Sequence, residues 1–437
     1  MIRRDFIKST GVLFAGSFML SPGILSAGMF SANEKIIIGV IGCNGMGWSN
    51  TSSLLKMQDV ELAGICDVDD NVIKRCLEDY SKLRNNKPKV YKDYRELLQN
   101  KNINAVVIGT PDHWHCKMMV DAVNAGKHVY IEKPIANSIT ECKLMVEAQE
   151  KTGMIVQTGQ WQRSGPHYKK AIEIVRSGVL GKIRLVKVWA YQGWMKPVKV
   201  VADSNPPEGV DYKFWLGPAP LRNFNANRFH FNFRWFWDYA GGLMTDWGVH
   251  EIDIALYAMG ANAPKSVMAT GGKLAYPDDA SETPDTLQAI FEYENFNMLW
   301  EHATGIDNGP YNRGEGIAFI GNNGTLVVDR GGYEVLIERQ TNKMDPIEAY
   351  MKPNELNYLD LHTKNFIDAI RKNDQSSLNA PIRSGSIAAI NAQMGNIAYK
   401  TGTKVFWDST KENFKDNVEA NKLITPVYHN GWTLPKV

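Results

Sequence analysis

The chain has 437 residues, 44% of them hydrophobic and 22% charged, with a formal net charge of +2. That length holds two domains with sizeable cores, and so even a charge balance gives neither nucleic acid nor an anionic membrane surface as a partner. The five cysteines (Cys43, Cys66, Cys76, Cys116 and Cys142) are odd in number and lack metal-ligand spacing, which argues against a disulfide framework and a metal centre.

Residues 1–32 read as an address. Arg3-Arg4-Asp5-Phe6-Ile7-Lys8 precedes an apolar stretch over 11–25 and small residues over 26–32. The arginine pair with its Phe and Lys resembles a twin-arginine leader, whose apparatus exports folded proteins to the periplasm. A general secretory leader and an amphipathic N-terminal helix are the alternatives. No cysteine follows the apolar stretch, so no lipid anchor is expected. Cleavage is expected between Ala27 and Ala32.

Residues 35–41, KIIIGVI, have the apolar, β-branched look of a buried parallel strand. Gly42-Cys43-Asn44-Gly45-Met46-Gly47 follows, then a helical pattern over 48–57 and a second strand over 60–66 that ends in Asp67. This order points to a dinucleotide: glycines permit a tight turn, the helix N-terminus accepts a pyrophosphate, and the later acid takes the ribose hydroxyls. Asn44 stands where the second glycine belongs, and Asn tolerates left-handed backbone. Asp67 would repel a 2′-phosphate, so NAD is expected rather than NADP.

The alternation continues with helices over 72–83, 94–98, 118–125 and 139–151. Strands are expected near 90 and over 105–108, 128–131 and 154–158. A doubly wound parallel (Rossmann) sheet over 33–160 follows, with its ligand at the carboxyl ends of the strands. Those ends carry Thr110-Pro111-Asp112-His113-Trp114-His115, Glu132-Lys133-Pro134 and Gln160-Trp161-Gln162-Arg163.

Thr110-Pro111 and Glu132-Lys133-Pro134 identify a resemblance to the Gfo/Idh/MocA oxidoreductases, running from about Lys35 to about Thr403. The resemblance implies that Lys133 lies beside the nicotinamide and the reacting hydroxyl, with Glu132 near the nicotinamide ribose. The fingerprint places Gly42, Asn44, Gly45, Met46, Gly47 and Asp67 at the cofactor, and the strand ends add Thr110, Pro111, His113, His115 and Gln160. A second mark is Asp246-Trp247-Gly248-Val249-His250, in a stretch read as one helix over 242–259. Asp246 and His250 then share a face, one turn apart. In the family this pair points at the substrate. His250-Glu251 does not extend to the zincin pattern, since residue 254 is Ile, and no metal is expected.

Residues 161–410 mix helices with strands over 184–191, 266–271, 286–293, 298–302, 317–320 and 325–328. Several strands follow one another without helices, giving an α/β domain with a largely antiparallel, open-faced sheet. Helices over 359–372 and 384–400 pack back on the body, and 411–437 form a tail. Eight of the twelve tryptophans fall between Trp161 and Trp300. Aromatic faces beside a polar cluster suit a sugar ring, and Trp161, Trp237 and Arg163 join Asp246 and His250 as expected substrate contacts. The long segment 193–232 reads as a functional loop or lid.

The chemistry expected is hydride transfer between a sugar hydroxyl carbon and a tightly bound NAD. His250 serves as base, Asp246 orients it or binds substrate, and Lys133 stabilises the alkoxide; which of Lys133 and His250 carries the proton stays open. An NAD-dependent glycosidase working by oxidation, elimination, hydration and reduction is the second reading. The strand ending Trp189-Ala190-Tyr191-Gln192 lacks the Tyr-x-His pattern of such enzymes. A non-enzymatic binding module is the third. A homo-oligomer through the open sheet is expected.

Overall fold

The computed structural model describes residues 34–340 and 344–437. The predicted leader lies outside them. Six parallel strands, β1 (Ile36–Ile41), β2 (Val60–Cys66), β3 (Lys89–Tyr91), β4 (Ala105–Ile108), β5 (His128–Ile131) and β6 (Val156–Thr158), pair in the order β3-β2-β1-β4-β5-β6. β4 and β5 are buried along their whole length, as parallel strands covered on both faces must be. Helices α1 (Met46–Leu54), α2 (Asp70–Ser81), α3 (Tyr94–Leu98), α4 (Asp112–Asn124) and α5 (Ile139–Thr152) make the crossovers. Asp69 caps α2 by accepting from the Asn71 N–H, and Ser138 with Glu141 forms a capping box on α5.

One boundary matters for function. The sequence pattern starts the fourth helix at 118, but α4 starts at Asp112, with Pro111 at its N-cap. Asp112, His113 and His115 are therefore helical rather than loop residues. The turn was hidden because its residues 112–116 are all buried, leaving no polar face to mark a period.

The second domain adds α6 (Pro166–Arg176), α7 (Tyr212–Leu216), α8 (Gly242–Asp246), α9 (Gly248–Met259), α10 (Tyr358–Lys372), α11 (Ile382–Thr401) and α12 (Val418–Lys422). Its strands are β7 (Leu185–Gln192), β8 (Ser266–Gly272), β9 (Thr286–Glu292), β10 (Asn297–Thr304), β11 (Glu315–Ile320), β12 (Gly324–Asp329), β13 (Gly332–Ile337), β14 (Tyr350–Met351), β15 (Val405–Asp408) and β16 (Asn413–Phe414). They form one ten-stranded sheet in the order β14-β13-β12-β11-β7-β10-β9-β8-β15-β16, antiparallel except for β7 against β10. Ile172, Ile252, Leu256, Met394 and Ile397 from α6, α9 and α11 cover one face, packing on Val188, Phe291, Trp300 and Phe319. On the other face Met268, Ile290 and Phe406 stand about half exposed.

One expectation changes and others are filled in. The helix expected over 242–259 breaks at Trp247 into α8 and α9, so Asp246 and His250 flank a break instead of sharing one helical face. The tail is docked: Trp432 packs edge-on against Trp114 at 4.9 Å, and the Asn430 amide donates to the Gly217 and Ala219 carbonyls. Phe366, Ile367 and Ile370 of α10 join a core with Ile38, Leu54 and Tyr130 of the first domain. No helix among the described residues is long and apolar enough to cross a membrane.

The junction also contains a buried ion pair. Arg163, just after β6, donates through Nε and Nη2 to both carboxylate oxygens of Asp253 in α9, each at 2.7 Å. Removing one partner strands the other charge away from water. Asp253→Ala should therefore lower the unfolding free energy by about 3–5 kcal/mol in chemical denaturation. A loss below about 1 kcal/mol would show that the pair is screened by water.

Candidate active site

The site begins at the turn between β1 and α1. A Cβ on Gly47 would lie 1.9 Å from the Gly42 carbonyl oxygen, so α1 can approach β1 this closely only without a side chain there. Gly42 and Gly45 carry the positive φ values, 78° and 52°. The left-handed position is thus Gly45 and not Asn44. Open space lies in front of it, with no atom within 4 Å of where its Cβ would stand. Asn44 instead uses its side chain: Oδ1 accepts from Arg75 at 2.8 Å, and Nδ2 lies 3.2 Å from His230 Nδ1.

This turn opens on a cavity of about 460 Å³. Asp67 borders one end, Gly42, Asn44, Gly45, Met46, Thr110 and Pro111 its middle, and Glu132, Lys133 and Arg234 the other end. Asp67 accepts from the Cys43 and Asp69 N–H groups at 2.7 and 3.1 Å. Burial raises its pKa, with the two backbone donors and His230 opposing.

A 3₁₀ segment, His230–Trp235, brings the second domain to the cavity. At its start, His230 holds φ 51° and places Nε2 2.9 Å from Asp69 Oδ2. The Asn44 amide donates to Nδ1, which assigns the ring proton to Nε2. At its end, Arg234 Nε donates to Asp246 Oδ1 at 3.2 Å.

At that end the two domains meet through charge. Lys133 Nζ donates to Asp246 Oδ1 at 2.8 Å and to the Asp246 carbonyl at 3.0 Å. Burial would raise the Asp246 pKa, but Lys133 and Arg234 outweigh it and hold the carboxyl down at about 2. His250 is driven well below the ordinary imidazole range by burial, then by the charges of Lys133 and Arg330, so it is neutral. Its Nδ1 is buried without a partner. Asp112 is pushed up to about 7 by burial, against the pull of Arg234 and Lys133. Glu132 accepts from Asn50 at 2.7 Å and from the Lys133 N–H at 3.1 Å. Gln160 is 1% exposed, and neither atom of its amide has a partner.

The other expected site residues are placed differently. His113 lies behind the wall, its Nε2 3.1 Å from the Trp215 carbonyl. His115 has its two ring nitrogens 2.7 Å from the Thr110 and Pro134 carbonyls. Burial lowers both histidines to about 4. His115 braces the loops that carry Thr110 and Lys133, His113 braces the backbone at Trp215, and neither lines the cavity. Gly47 serves helix packing. Arg163 is occupied by Asp253. Trp237 donates to the Glu282 carbonyl at 3.0 Å beneath Lys400, apart from the cavity. Trp161 stands 5.9 Å from the His250 ring.

Sequence reasoning passed over Asp112, His230, Arg234 and Arg330. Asp112 was legible as an acid immediately after Thr110-Pro111. The other three act through tertiary contacts that no spacing encodes.

The glycine turn facing open space, the acid after β2 and the partnerless Gln160 amide fit a dinucleotide. Because the folded-state pKa of Asp246 lies below its unfolded value, its carboxylate contributes stability that is full above about pH 4 and lost as the pH falls toward 2. Asp246→Asn should remove that pH dependence, so wild-type and variant unfolding midpoints should converge between pH 4 and pH 2. A constant difference across that range would place the stabilisation elsewhere.

Residues 36–160 match the Gfo/Idh/MocA model for an NAD-binding Rossmann fold, and residues 165–434 match its model for a C-terminal alpha/beta domain. The uncharacterized oxidoreductase YrbE of Bacillus subtilis (strain 168) is 27% identical over 61% of this chain and 66% of its own length. Glycosyl hydrolase family 109 protein 1 of Shewanella sp. (strain ANA-3) is 30% identical over 41% of this chain and 44% of its own. The chain thus spans less than two thirds of either relative. A levoglucosan dehydrogenase solved in complex with NADH shares the fold, with a TM-score of 0.65 and 17% identity over 85% of this chain and 99% of its own.

Proposed function

The chain belongs to the Gfo/Idh/MocA family of oxidoreductases, and from that premise we propose that it oxidises and reduces a hydroxyl or keto group of a sugar or glycoside with a tightly held NAD. One observation carries the reading. Lys133, at the end of β5 and on the wall of the cavity, bonds Asp246 across the domain junction, four residues before the buried, neutral His250.

Bound there, NAD supplies a hydride acceptor and donor. The glycine turn and the α1 N-terminus receive its pyrophosphate, Asp67 its adenosine ribose hydroxyls, and Glu132 and Gln160 its nicotinamide end. The Asp67 carboxylate disfavours the 2′-phosphate of NADP. His250, held neutral, takes the hydroxyl proton on its imidazole. Lys133 lies against the oxygen that gains charge, and Asp246 keeps the ammonium in place. Trp161, beside His250, supplies a ring face for the sugar.

The reading includes location and assembly. The leader carries the folded protein, already loaded, to a periplasm without a free nucleotide pool. Retention then requires binding on the order of −12 kcal/mol, and the cofactor is regenerated in place by a second carbonyl compound or by the returning product. A homo-oligomer forms through the open sheet face, where Ile290 and Met268 pair in register. Ile290→Lys should lower the mass read by sedimentation, and an unchanged mass would move the interface elsewhere.

The Shewanella relative favours a second reading, hydrolysis of a glycoside by oxidation, elimination, hydration and return of the hydride. It calls for proton-transfer groups on β7. Same-face pairs at the end of that strand are Ala190 with Gln192 and Tyr191 with Gly193, and neither supplies Tyr-x-His.

The test uses protein desalted extensively and given glycosides with no added nucleotide. Multiple turnovers sustained by a carbonyl acceptor support the dehydrogenase with retained NAD. Aglycone release without net oxidation would favour hydrolysis. Activity only with added NAD would overturn retention. Lys133→Ala and His250→Ala should each lower turnover by about a hundredfold or more while NAD stays bound. Near-normal turnover in either variant removes that residue from the chemistry.

A further inference from the structure

Catalytic imidazoles are ordinarily aimed by a hydrogen bond to the second ring nitrogen. His250 has none: among the described residues neither ring nitrogen has a hydrogen-bond partner, and Nδ1 is fully enclosed. Two indole rings bracket it instead, both inclined edge-on to the imidazole. Trp161 lies 5.9 Å away and Trp247 6.3 Å away. Trp161 follows β6, and Trp247 is the break between α8 and α9, so the rings come from separate segments of the chain.

A single side chain joins them. The Arg330 guanidinium, in the turn between β12 and β13, lies over both rings, 4.7 Å from the Trp161 centroid and 4.3 Å from that of Trp247. Its orientation is fixed from below. Nε and Nη2 donate to Gln162 Oε1 at 3.3 and 3.2 Å, and the Arg330 N–H donates to Glu315 at 3.0 Å. The Gln162 amide nitrogen in turn donates to Glu251 and to the Tyr168 oxygen. Glu251, the residue after His250, is buried completely against Glu315. A planar cation held by its edge can contact two rings at once, which a compact ammonium does less well.

We propose that Arg330 is a positioning residue for the reaction: it clamps Trp161 and Trp247, whose rings, steeply inclined to the His250 imidazole, hold it in place of a hydrogen-bonding carboxylate. This rests on the reading that His250 takes part in proton transfer. The clamp also places a cation near the base. The charged and titratable groups around His250 are Lys133 from the loop after β5, Asp246 from α8, Glu251 and Asp253 from α9, Arg330 from the β12–β13 turn and Glu315 from β11. Lys133 and Arg330 favour the neutral ring.

Three variants separate aim from charge. Arg330→Lys keeps the charge and loses the plane. It should lower kcat by about tenfold or more, with KM and bound NAD little changed and the acid limb of the pH–rate profile in place. Arg330→Gln removes the charge as well, so the His250 pKa rises and the acid limb should move to higher pH. Trp247→Leu removes one ring without touching the buried carboxyls and should lower kcat as Arg330→Lys does. Added guanidinium, but not ammonium, should restore part of the rate to Arg330→Ala. If His250→Ala is slow while Arg330→Lys and Trp247→Leu keep wild-type kcat, the clamp is overturned and the base assignment stands. If His250→Ala is itself near wild type, the base assignment falls first and takes the clamp with it.

Discussion

The contact on which the site depends is the Lys133–Asp246 ion pair. Its members are only 11% and 15% exposed, where an unpaired charge is costly. The pair fixes the carboxyl end of β5 to the α8–α9 break and so sets where two independently wound domains face each other. Arg234 shares the same carboxylate oxygen, which draws the 230–235 segment over the cavity. Two cations on one carboxylate leave a local positive excess. That excess holds Asp246 ionised and opposes the burial that drives Asp112 toward protonation, while burial, reinforced by Lys133 and Arg330, keeps His250 neutral.

Much of the fold was legible because the first domain writes its strands as apolar runs closed by polar residues. Residues 60–66, 105–108 and 128–131 were read to the residue, and the dinucleotide order of strand, glycine turn, helix and acid needed no tertiary information. Where burial is uniform the pattern fails. The start of α4 and the break at Trp247 both lie in stretches buried on nearly all sides, where neither period 3.6 nor a polar face marks the boundary. The two-residue strands β14 and β16 are too short to carry alternation at all.

The site was legible in its chemistry and less so in its contacts. Lys133, Asp246 and His250 were named through the family resemblance; their spacing alone would not have joined residues 113 and more positions apart. His113, His115 and Arg163 were named because polar side chains at strand ends are expected to face a ligand. The structure gives those side chains to backbone carbonyls and to Asp253. A buried polar group needs a partner wherever it lies, and a strand end near a domain junction offers protein partners as readily as ligand ones. Asn44 shows the same limit on a smaller scale: its type suggested a left-handed backbone, yet its amide is used as a bridge between Arg75 and His230.

That bridge ties the cavity wall to the ion pair. The segment His230–Trp235 reaches the first domain through His230 to Asp69 and Asn44, and the junction through Arg234 to the second-domain Asp246, which Lys133 also holds. One short 3₁₀ segment thus carries contacts at both places. The docked tail adds a second restraint on the same wall, since Asn430 holds the backbone around Gly217, and Trp432 packs on Phe214 and Trp114, all next to the cavity. The wall over the glycine turn and the second cation on Asp246 are therefore set by one stretch of chain, so neither contact is placed independently of the other.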